Sequence, residues 1–180
     1  VFDMPYKTYT NRFIAYKNAK KVMKLTKCDA IKLEGGVKVV NIIKYLVQKG
    51  IPVMGHIGLL PQTSNKFKVK GINLNQRKQI LKDALAISKS GAFAIVIECV
   101  VENLAKEITK NVSIPTIGIG ASKYCDGQIL VTEDMLGLSN YLPKFVKQYA
   151  NLNNVIEKCI GKYAKDVKMR RFPSHENIYK

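Results

Sequence analysis

The chain has 180 residues, 47% of them hydrophobic and 24% charged, a composition typical of a globular domain that buries roughly 70% of its surface. No apolar run approaches the ~18 residues of a membrane helix, which excludes a transmembrane segment and argues against a membrane partner. The net charge of +17 comes from 26 lysines and only four arginines spread along the chain, and because base readout and bidentate phosphate contacts favour arginine, we predict no nucleic-acid partner.

Short apolar runs alternate with longer amphipathic ones, a pattern that predicts six strands and five helices. In chain order these are a strand at 1–3, a helix at 11–25, a strand at 30–34, a helix at 36–50, a strand at 52–56, a helix at 75–91, a strand at 93–98, a helix at 102–112, strands at 115–119 and 128–131, and a helix at 144–167. The last helix has Tyr149, Val155 and Ile156 as candidate buried residues. Such β-α alternation predicts an α/β fold with a parallel sheet and right-handed crossovers.

Polar residues and glycines fall at the carboxyl ends of the predicted strands. They are Asp3, Glu34, His56, Glu98, Gly118 and Gly120. The carboxyl ends of parallel strands form the rim where barrels and open sheets carry their chemistry, so we expect a functional site there.

Each of these residues also has a purely structural interpretation. The segment DAIKLEGG (29–36) puts Lys32 and Glu34 on one face of a strand, and this face is either a wet surface with an ion pair or the lining of a polar site. Glu98 ends an apolar strand, where a buried carboxylate requires a partner or a proton. His56 is either a hydrogen-bonded core residue or part of the site, and the glycines of GIGAS either cradle a phosphate or permit close packing.

The cysteines and lysines bear on the cellular location of the protein and on its binding partners. The four cysteines lie far apart without a C-x-x-C pair, so we expect free thiols, no zinc, and a reducing, cytoplasmic location. A general bias towards lysine explains the positive charge, although a polyanionic small substrate is compatible with it.

Six motifs occur together in a fixed order: DMPY, IKLEGG, PVMGHIGLLPQ, IECV, IPTIGIGAS and DGQILVTEDMLGL. In this combination, and with the later FPSHEN, the chain resembles the ketopantoate hydroxymethyltransferase (3-methyl-2-oxobutanoate hydroxymethyltransferase) family from residue 1 to about residue 176. The GHIGLLPQ block and the GIGAS block with its following CDGQILV are the most specific parts of the resemblance.

The resemblance implies a (β/α)8 TIM barrel that binds Mg²⁺. Asp3 and Glu34 match the family's magnesium contacts, and Asp3 with Lys32 matches its substrate-binding residues. Glu98 matches the proposed proton acceptor. The remaining residues of the expected active-site rim are His56, Gly118 and Gly120.

The reaction implied by the resemblance is transfer of a hydroxymethyl group from 5,10-methylenetetrahydrofolate to 3-methyl-2-oxobutanoate. Its product is 2-dehydropantoate, an intermediate on the way to pantothenate and coenzyme A. The expected partners are therefore a small 2-oxo acid and a folate, and the family forms homo-oligomers, decamers in many members.

The match also lacks the family's first two strands, which would precede Val1 and include a second metal-binding aspartate. We therefore expect a fragment: a single partial-barrel domain over 1–180 with about six of eight βα units, and a C-terminal tail at 165–180. Because a βα unit takes ~30 residues or more, about 60–80 residues are missing. Half of the direct carboxylate ligation of Mg²⁺ would be lost with them, and we therefore expect this chain to be inactive alone.

Three other interpretations of the sequence are compatible with these observations. The chain is alternatively a non-catalytic remnant of the enzyme, a basic nucleic-acid-binding protein whose binding depends steeply on salt, or another barrel enzyme that binds a phosphate with Gly118 and Gly120.

Overall fold

The computed structural model describes residues 1–64 and 67–179. Its strands are β1 (Phe2–Asp3), β2 (Ile31–Glu34), β3 (Val53–Gly58), β4 (Ala94–Glu98), β5 (Thr116–Ile119) and β6 (Gly127–Gln128). Its α-helices are α1 (Arg12–Thr26), α2 (Val40–Gln48), α3 (Leu74–Lys89), α4 (Glu102–Asn111), α5 (Thr132–Leu136) and α6 (Leu152–Lys168). Short 3-10 helices cover Gly36–Val39 and His175–Asn177.

The six strands form one sheet in the order β1-β2-β3-β4-β5-β6, and all neighbouring pairs are parallel. A parallel sheet whose spatial order follows the chain order, with helices in most of the connections, is the arrangement of a TIM barrel. The predicted α/β class, a partial barrel with about six βα units, is confirmed.

The core lies between this sheet and helices α1 to α4. All five residues of β4 are buried, as expected of a strand that is covered on both faces. The helix side of the sheet packs tightly at Gly55, where an added Cβ would lie 2.5 Å from Cγ2 of Ile87 on α3. Gly55 therefore lies on the helix side of β3, and its neighbour His56 lies on the opposite face of the sheet.

Two strand boundaries differ from the sequence predictions. β3 continues to Gly58, because residues 54–58 keep parallel register with 94–98 of β4. His56 therefore lies inside β3 and not at its carboxyl end, which corrects the predicted placement. β6 covers only Gly127–Gln128, whereas 128–131 was predicted.

The chain divides into two compact units, Val1–Ile129 and a second that starts at Leu130. In the second unit α6 begins at Leu152, since Asn151 caps it by accepting the N–H of Asn154. The predicted start at residue 144 is therefore wrong. The predicted burial of Tyr149, Val155 and Ile156 is wrong as well, because they are 67%, 55% and 46% exposed.

No helix in the described part of the chain is both long and apolar enough to cross a membrane.

Candidate active site

The charged residues of the first four strands share one face of the sheet because of its register. Asp3 lies opposite Lys32, and Glu34 lies opposite His56. His56 in turn lies opposite Val96, two residues before Glu98. Since side chains on a strand alternate between faces, all five polar side chains point to the face opposite the helices.

Lys32 is the centre of this cluster. Its Nζ lies 2.7 Å from Oδ2 of Asp3, 3.2 Å from Nδ1 of His56 and 4.0 Å from Oε1 of Glu34. The Lys32 side chain is only 16% exposed. Two carboxylates within 4.0 Å thus compensate the charge of a largely buried ammonium group.

The partners of His56 assign its tautomer. An ammonium group can only donate, so Nδ1 of His56 accepts from Lys32. Nε2 lies 2.9 Å from the carbonyl oxygen of Leu59 and 3.3 Å from Oε2 of Glu98, and both are acceptors. Nε2 of His56 therefore carries a proton and donates it to the carbonyl oxygen of Leu59, and the imidazole lies between the Lys32 ammonium and the Glu98 carboxyl group.

Glu34 is buried, with 6% of its surface exposed. Oε2 accepts the backbone N–H of Gln62 at 3.2 Å, and Oε1 lies 3.8 Å from Nδ1 of His56. Burial raises the pKa of the Glu34 carboxyl, and the opposing effects of His56, the Gln62 N–H and Lys32 are smaller. The carboxyl group therefore holds its proton to higher pH than an exposed glutamate.

Glu98 ends β4 and is 7% exposed. The next residue, Cys99, is buried as well, and burial, followed by the charge of Glu98, raises the pKa of its thiol to about 11. Cys99 is therefore a neutral thiol beside the carboxylate. Glu98 has His56 as its polar neighbour in a mostly apolar strand.

Gln62 and Tyr9 belong to the site although we did not predict them. Gln62 lies in the loop after β3 and donates its backbone N–H to Glu34. Its side-chain nitrogen lies 2.9 Å from the carbonyl oxygen of Met4 and 3.5 Å from Oδ1 of Asp3, and Tyr9 donates to its amide oxygen at 2.8 Å. Gln62 is the last residue of the quoted motif PVMGHIGLLPQ, which was the one available signal.

Gly118 and Gly120 lie on and just after β5, the strand next to the one that carries Glu98. A Cβ on Gly118 would meet the side-chain amide of Gln128 at 2.9 Å and the sulfur of Cys125 at 3.2 Å, so this glycine permits close packing. The structure therefore brings Asp3, Lys32, Glu34, His56 and Glu98 together, and the two glycines are not part of this set of contacts.

The cluster offers carboxylate oxygens, which hard cations prefer, but of the residues that the structure describes only Asp3 and Glu34 provide them near Lys32. In the described ranges, no group of three or more His, Cys, Asp or Glu side chains is arranged to hold a metal ion. Asp3 and Glu34 supply two carboxylates around the position that the Lys32 ammonium occupies. Mg²⁺ commonly uses one or two carboxylates plus substrate and water oxygens, so these residues fit it in that limited sense.

A cavity of about 940 Å³ adjoins the cluster at Glu34. Its wall includes the aromatic rings of Tyr6 and Tyr9, apolar side chains such as Ile42 and Leu60, and Asp83. This space is much larger than a five-carbon acid requires, and it combines aromatic, apolar and charged surfaces as ligand sites do.

Comparison with known proteins places the chain in a family. The ketopantoate hydroxymethyltransferase family model matches residues 1–175. The 3-methyl-2-oxobutanoate hydroxymethyltransferase of Pelagibacter ubique is 52% identical, over 99% of this chain and 70% of its own length. The enzyme of that name from Bartonella henselae is 53% identical over 100% and 67%, and the one from Phenylobacterium zucineum is 51% identical over 99% and 66%. The chain thus spans about two thirds of the length of these relatives, and it belongs to the ketopantoate hydroxymethyltransferase family.

Proposed function

In place of the expectation of an inactive fragment, we propose that the chain itself transfers a hydroxymethyl group from 5,10-methylenetetrahydrofolate to 3-methyl-2-oxobutanoate, forming 2-dehydropantoate on the route to pantothenate and coenzyme A. The observation that carries this proposal is the continuous contact from Asp3 through Lys32 and His56 to Glu98 on one face of the sheet. These are the groups that an anionic oxo acid and its proton transfer require.

Glu98 takes the proton from C3 of the oxo acid. Its burial at the end of β4 keeps water away from the carboxylate, and Nε2 of His56 lies 3.3 Å from its Oε2. A positioned base of this kind contributes about 10²–10⁴-fold to the rate. Loss of the C3 proton leaves an enolate, whose C3 is the nucleophile.

Lys32 binds the carboxylate of the oxo acid. Its ammonium group has two carboxylate neighbours and retains 16% exposure, so an incoming anion can replace part of its contact with Asp3. The Asp3 side chain is 53% exposed, so the contact between Asp3 and Lys32 lies on the side from which the substrate enters.

Asp3 and Glu34 would hold Mg²⁺. The Lys32 ammonium within 4.0 Å of both carboxylates supports this, because the space between them already favours positive charge. When bound, the metal supplies electron withdrawal from the oxo group of the substrate, which makes C3 more acidic. The residues then retain their own tasks: Lys32 orients the substrate and Glu98 holds the proton.

The cavity beside Glu34 accommodates the folate. Its volume of about 940 Å³ and the rings of Tyr6 and Tyr9 suit a planar heterocycle that is much larger than the oxo acid. The methylene carbon of the folate and the oxygen of a water molecule together form the hydroxymethyl group, so tetrahydrofolate leaves as the second product.

Removal of the C3 proton can be tested without the folate. Incubation of the purified chain with 3-methyl-2-oxobutanoate and Mg²⁺ in D₂O should replace the C3 hydrogen by deuterium, which proton NMR follows directly. Glu98→Gln should slow this exchange by about 10²–10⁴-fold because an amide cannot accept the proton. Glu102→Gln, at an exposed glutamate four residues further on, is the control and should exchange at the wild-type rate.

Two results would contradict the proposal. Exchange that is equally fast in Glu98→Gln and in the control would remove Glu98 as the base. Binding of the oxo acid by calorimetry without any exchange would favour the second candidate, a non-catalytic family member that keeps the binding residues Asp3 and Lys32.

We also propose that the enzyme is cytoplasmic, since its four cysteines are free, and homo-oligomeric, as the resemblance to the family implies. Light scattering of the purified chain at micromolar concentration should give a multiple of 20.2 kDa. A single 20.2 kDa species would contradict it.

A further inference from the structure

Gln62 connects the ends of the first two strands to the loop that follows the third. Its backbone N–H reaches Glu34 on β2, and its side-chain nitrogen reaches Met4 and Asp3 at the end of β1. Each partner lies at least 28 positions away in sequence, the Met4 and Asp3 bonds spanning 58 and 59 positions. One residue thus contacts both carboxylates that are proposed to hold the metal.

The orientation of the Gln62 amide follows from its partners. The carbonyl oxygen of Met4 can only accept, so the side-chain nitrogen of Gln62 faces it at 2.9 Å. The amide oxygen then faces Tyr9, whose hydroxyl donates at 2.8 Å. A flipped amide would place two acceptors against each other at Met4, so Tyr9 and Met4 together hold one orientation.

That orientation places the side-chain nitrogen of Gln62, a hydrogen-bond donor, next to the Asp3 carboxylate. Oδ2 of Asp3 lies 2.7 Å from Lys32, and Oδ1 lies 3.5 Å from the Gln62 nitrogen. Because the Asp3 side chain is 53% exposed, its own packing does not immobilise it. The Gln62 amide is the neutral donor on the second oxygen, so it orients the Asp3 carboxylate without neutralising its charge.

We propose that Gln62, held by Tyr9, is the positioning residue that orients Asp3 and Glu34 towards the metal and substrate. This inference rests on the proposed function, because it assigns Gln62 an effect on Mg²⁺-dependent binding. Residues that hydrogen-bond to metal ligands typically account for about 10–100-fold in metal affinity or activity.

The first measurement concerns the protein without ligands. Hydrogen–deuterium exchange of the Gln62 backbone amide should become at least about tenfold faster in Gln62→Ala and Tyr9→Phe, since both free the loop from the end of β1. Gln48→Ala makes the same truncation at an exposed glutamine on α2 and should leave that amide unchanged.

The second measurement is binding of 3-methyl-2-oxobutanoate by calorimetry as Mg²⁺ is varied. Gln62→Ala should raise the Mg²⁺ concentration required for half-maximal binding by about 10–100-fold, with a melting temperature close to that of Gln48→Ala. Tyr9→Phe should have a smaller effect in the same direction. The double variant should resemble Gln62→Ala alone, because the Tyr9 hydroxyl acts through the amide.

The outcomes separate the two proposals. Unchanged amide exchange in both variants, or Mg²⁺ dependence within about twofold of wild type in Gln62→Ala, overturns the role of Gln62. A wild-type chain that binds no oxo acid with Mg²⁺ overturns the proposed function and with it the metal-directed role. In that case, faster amide exchange in the variants identifies Gln62 as a purely structural anchor.

Discussion

At the scale of single residues, the site depends on the unequal burial of its carboxyl groups. Asp3 is half exposed at the side chain and bonded to an ammonium group, whereas Glu34 is buried among several partners. Burial raises the pKa of Glu34, so the ionised form of this residue destabilises the folded state. Such costs are characteristic of functional sites.

The first prediction concerns the pH dependence that Glu34 imparts. Its usual pKa of 4.5 is raised in the folded chain by burial. The folded state therefore binds this proton more tightly than the unfolded state, and the resulting stabilisation is present below pH 4.5 and is lost as the pH rises through the folded pKa. Glu34→Gln, which mimics the protonated acid, should melt at a higher temperature than wild type at pH 7.

Thermal melts at pH 4 to 7 provide the check. The gap between Glu34→Gln and wild type should widen as the pH rises, while exchange of the substrate proton is reduced in the variant. Gln48→Asn changes an exposed amide that has no charge to titrate and should follow the wild-type curve at every pH. A gap that narrows with rising pH would show that the Lys32 and His56 contacts outweigh burial.

Residue-level sequence patterns predicted part of the site. Alternation within a strand placed Lys32 and Glu34 on one face, and the structure shows this arrangement. Gln62 has no such pattern, because its position depends on a loop conformation and on a partner 58 positions away. Periodicity contains no information about contacts of that kind.

At the scale of elements, the turn after β2 packs closely against a neighbouring helix near the site. Gly36 has a φ of +58°, and an added Cβ would lie 2.3 Å from the carboxyl carbon of Asp83 on α3. The same Asp83 accepts the N–H of Val37 at 2.8 Å. Asp83 thus holds the segment that directly follows Glu34, and only glycine allows it to approach so closely.

The second prediction compares two glycines with left-handed conformations. Gly50→Ala, at φ +75° with open space around it, should cost about 1–2 kcal/mol of unfolding free energy from backbone strain alone. Gly36→Ala adds the clash with Asp83 and should cost about 2–5 kcal/mol in total. Urea unfolding of both variants gives the difference, and equal losses would mean that the Asp83 side chain moves away freely.

The third prediction concerns the other end of the sheet, where β5 and β6 begin. Oδ2 of Asp126 accepts the backbone N–H of Thr116 at 2.8 Å and its hydroxyl at 2.9 Å. These two hydrogen bonds lower the pKa of the Asp126 carboxyl. The charge therefore stabilises the fold above the usual pKa of 3.8, and this stabilisation is lost as the pH falls through the folded value.

Asp126→Asn should lower the melting temperature at pH 7 by roughly 2–4 °C, which corresponds to about 1 kcal/mol after allowance for the exposure of Asp126. The difference from wild type should shrink as the pH approaches 3. Asp29→Asn, at another exposed aspartate, is the control and should stay within about 1 °C of wild type. A difference in melting temperature that persists unchanged at pH 3 would mean that the charge of the Asp126 side chain does not contribute to stability.

Element prediction from the sequence succeeded where periodicity was strong and failed where short-range hydrogen bonds decide. The buried strand β4 and the long helix α3 lie within a residue or two of their predicted bounds. The start of α6 was predicted wrongly, because the Asn151 cap outweighs the apolar residues that precede it. The short helix α5 was missed, since its five residues are too few to show a period.

At the scale of the whole molecule, the alternation of strands and helices was enough to predict the sheet. Right-handed crossovers also occur in open sheets with other strand orders, so the alternation alone did not determine the order. The resemblance to a barrel family implied a sequential order, and β1 to β6 follow it. The division at Ile129 was not foreseen, because the composition shows no linker there. Exposure of the apolar residues on α6 was not foreseen either, since a periodic stripe does not reveal what covers it.

The last prediction tests the meaning of the net charge of +17. Most of this charge is lysine distributed over the chain, and Lys32, at the centre of the site, is compensated by Asp3 and Glu34. A diffuse positive field attracts any polyanion weakly and without sequence preference. In fluorescence anisotropy, binding to duplex DNA should be no tighter than about 10⁻⁶ M near physiological salt, should weaken steeply with added salt and should be the same for unrelated sequences. A duplex bound about 10³-fold more tightly than the others would revive the nucleic-acid alternative, because selectivity of that size requires base contacts that dispersed lysines do not provide.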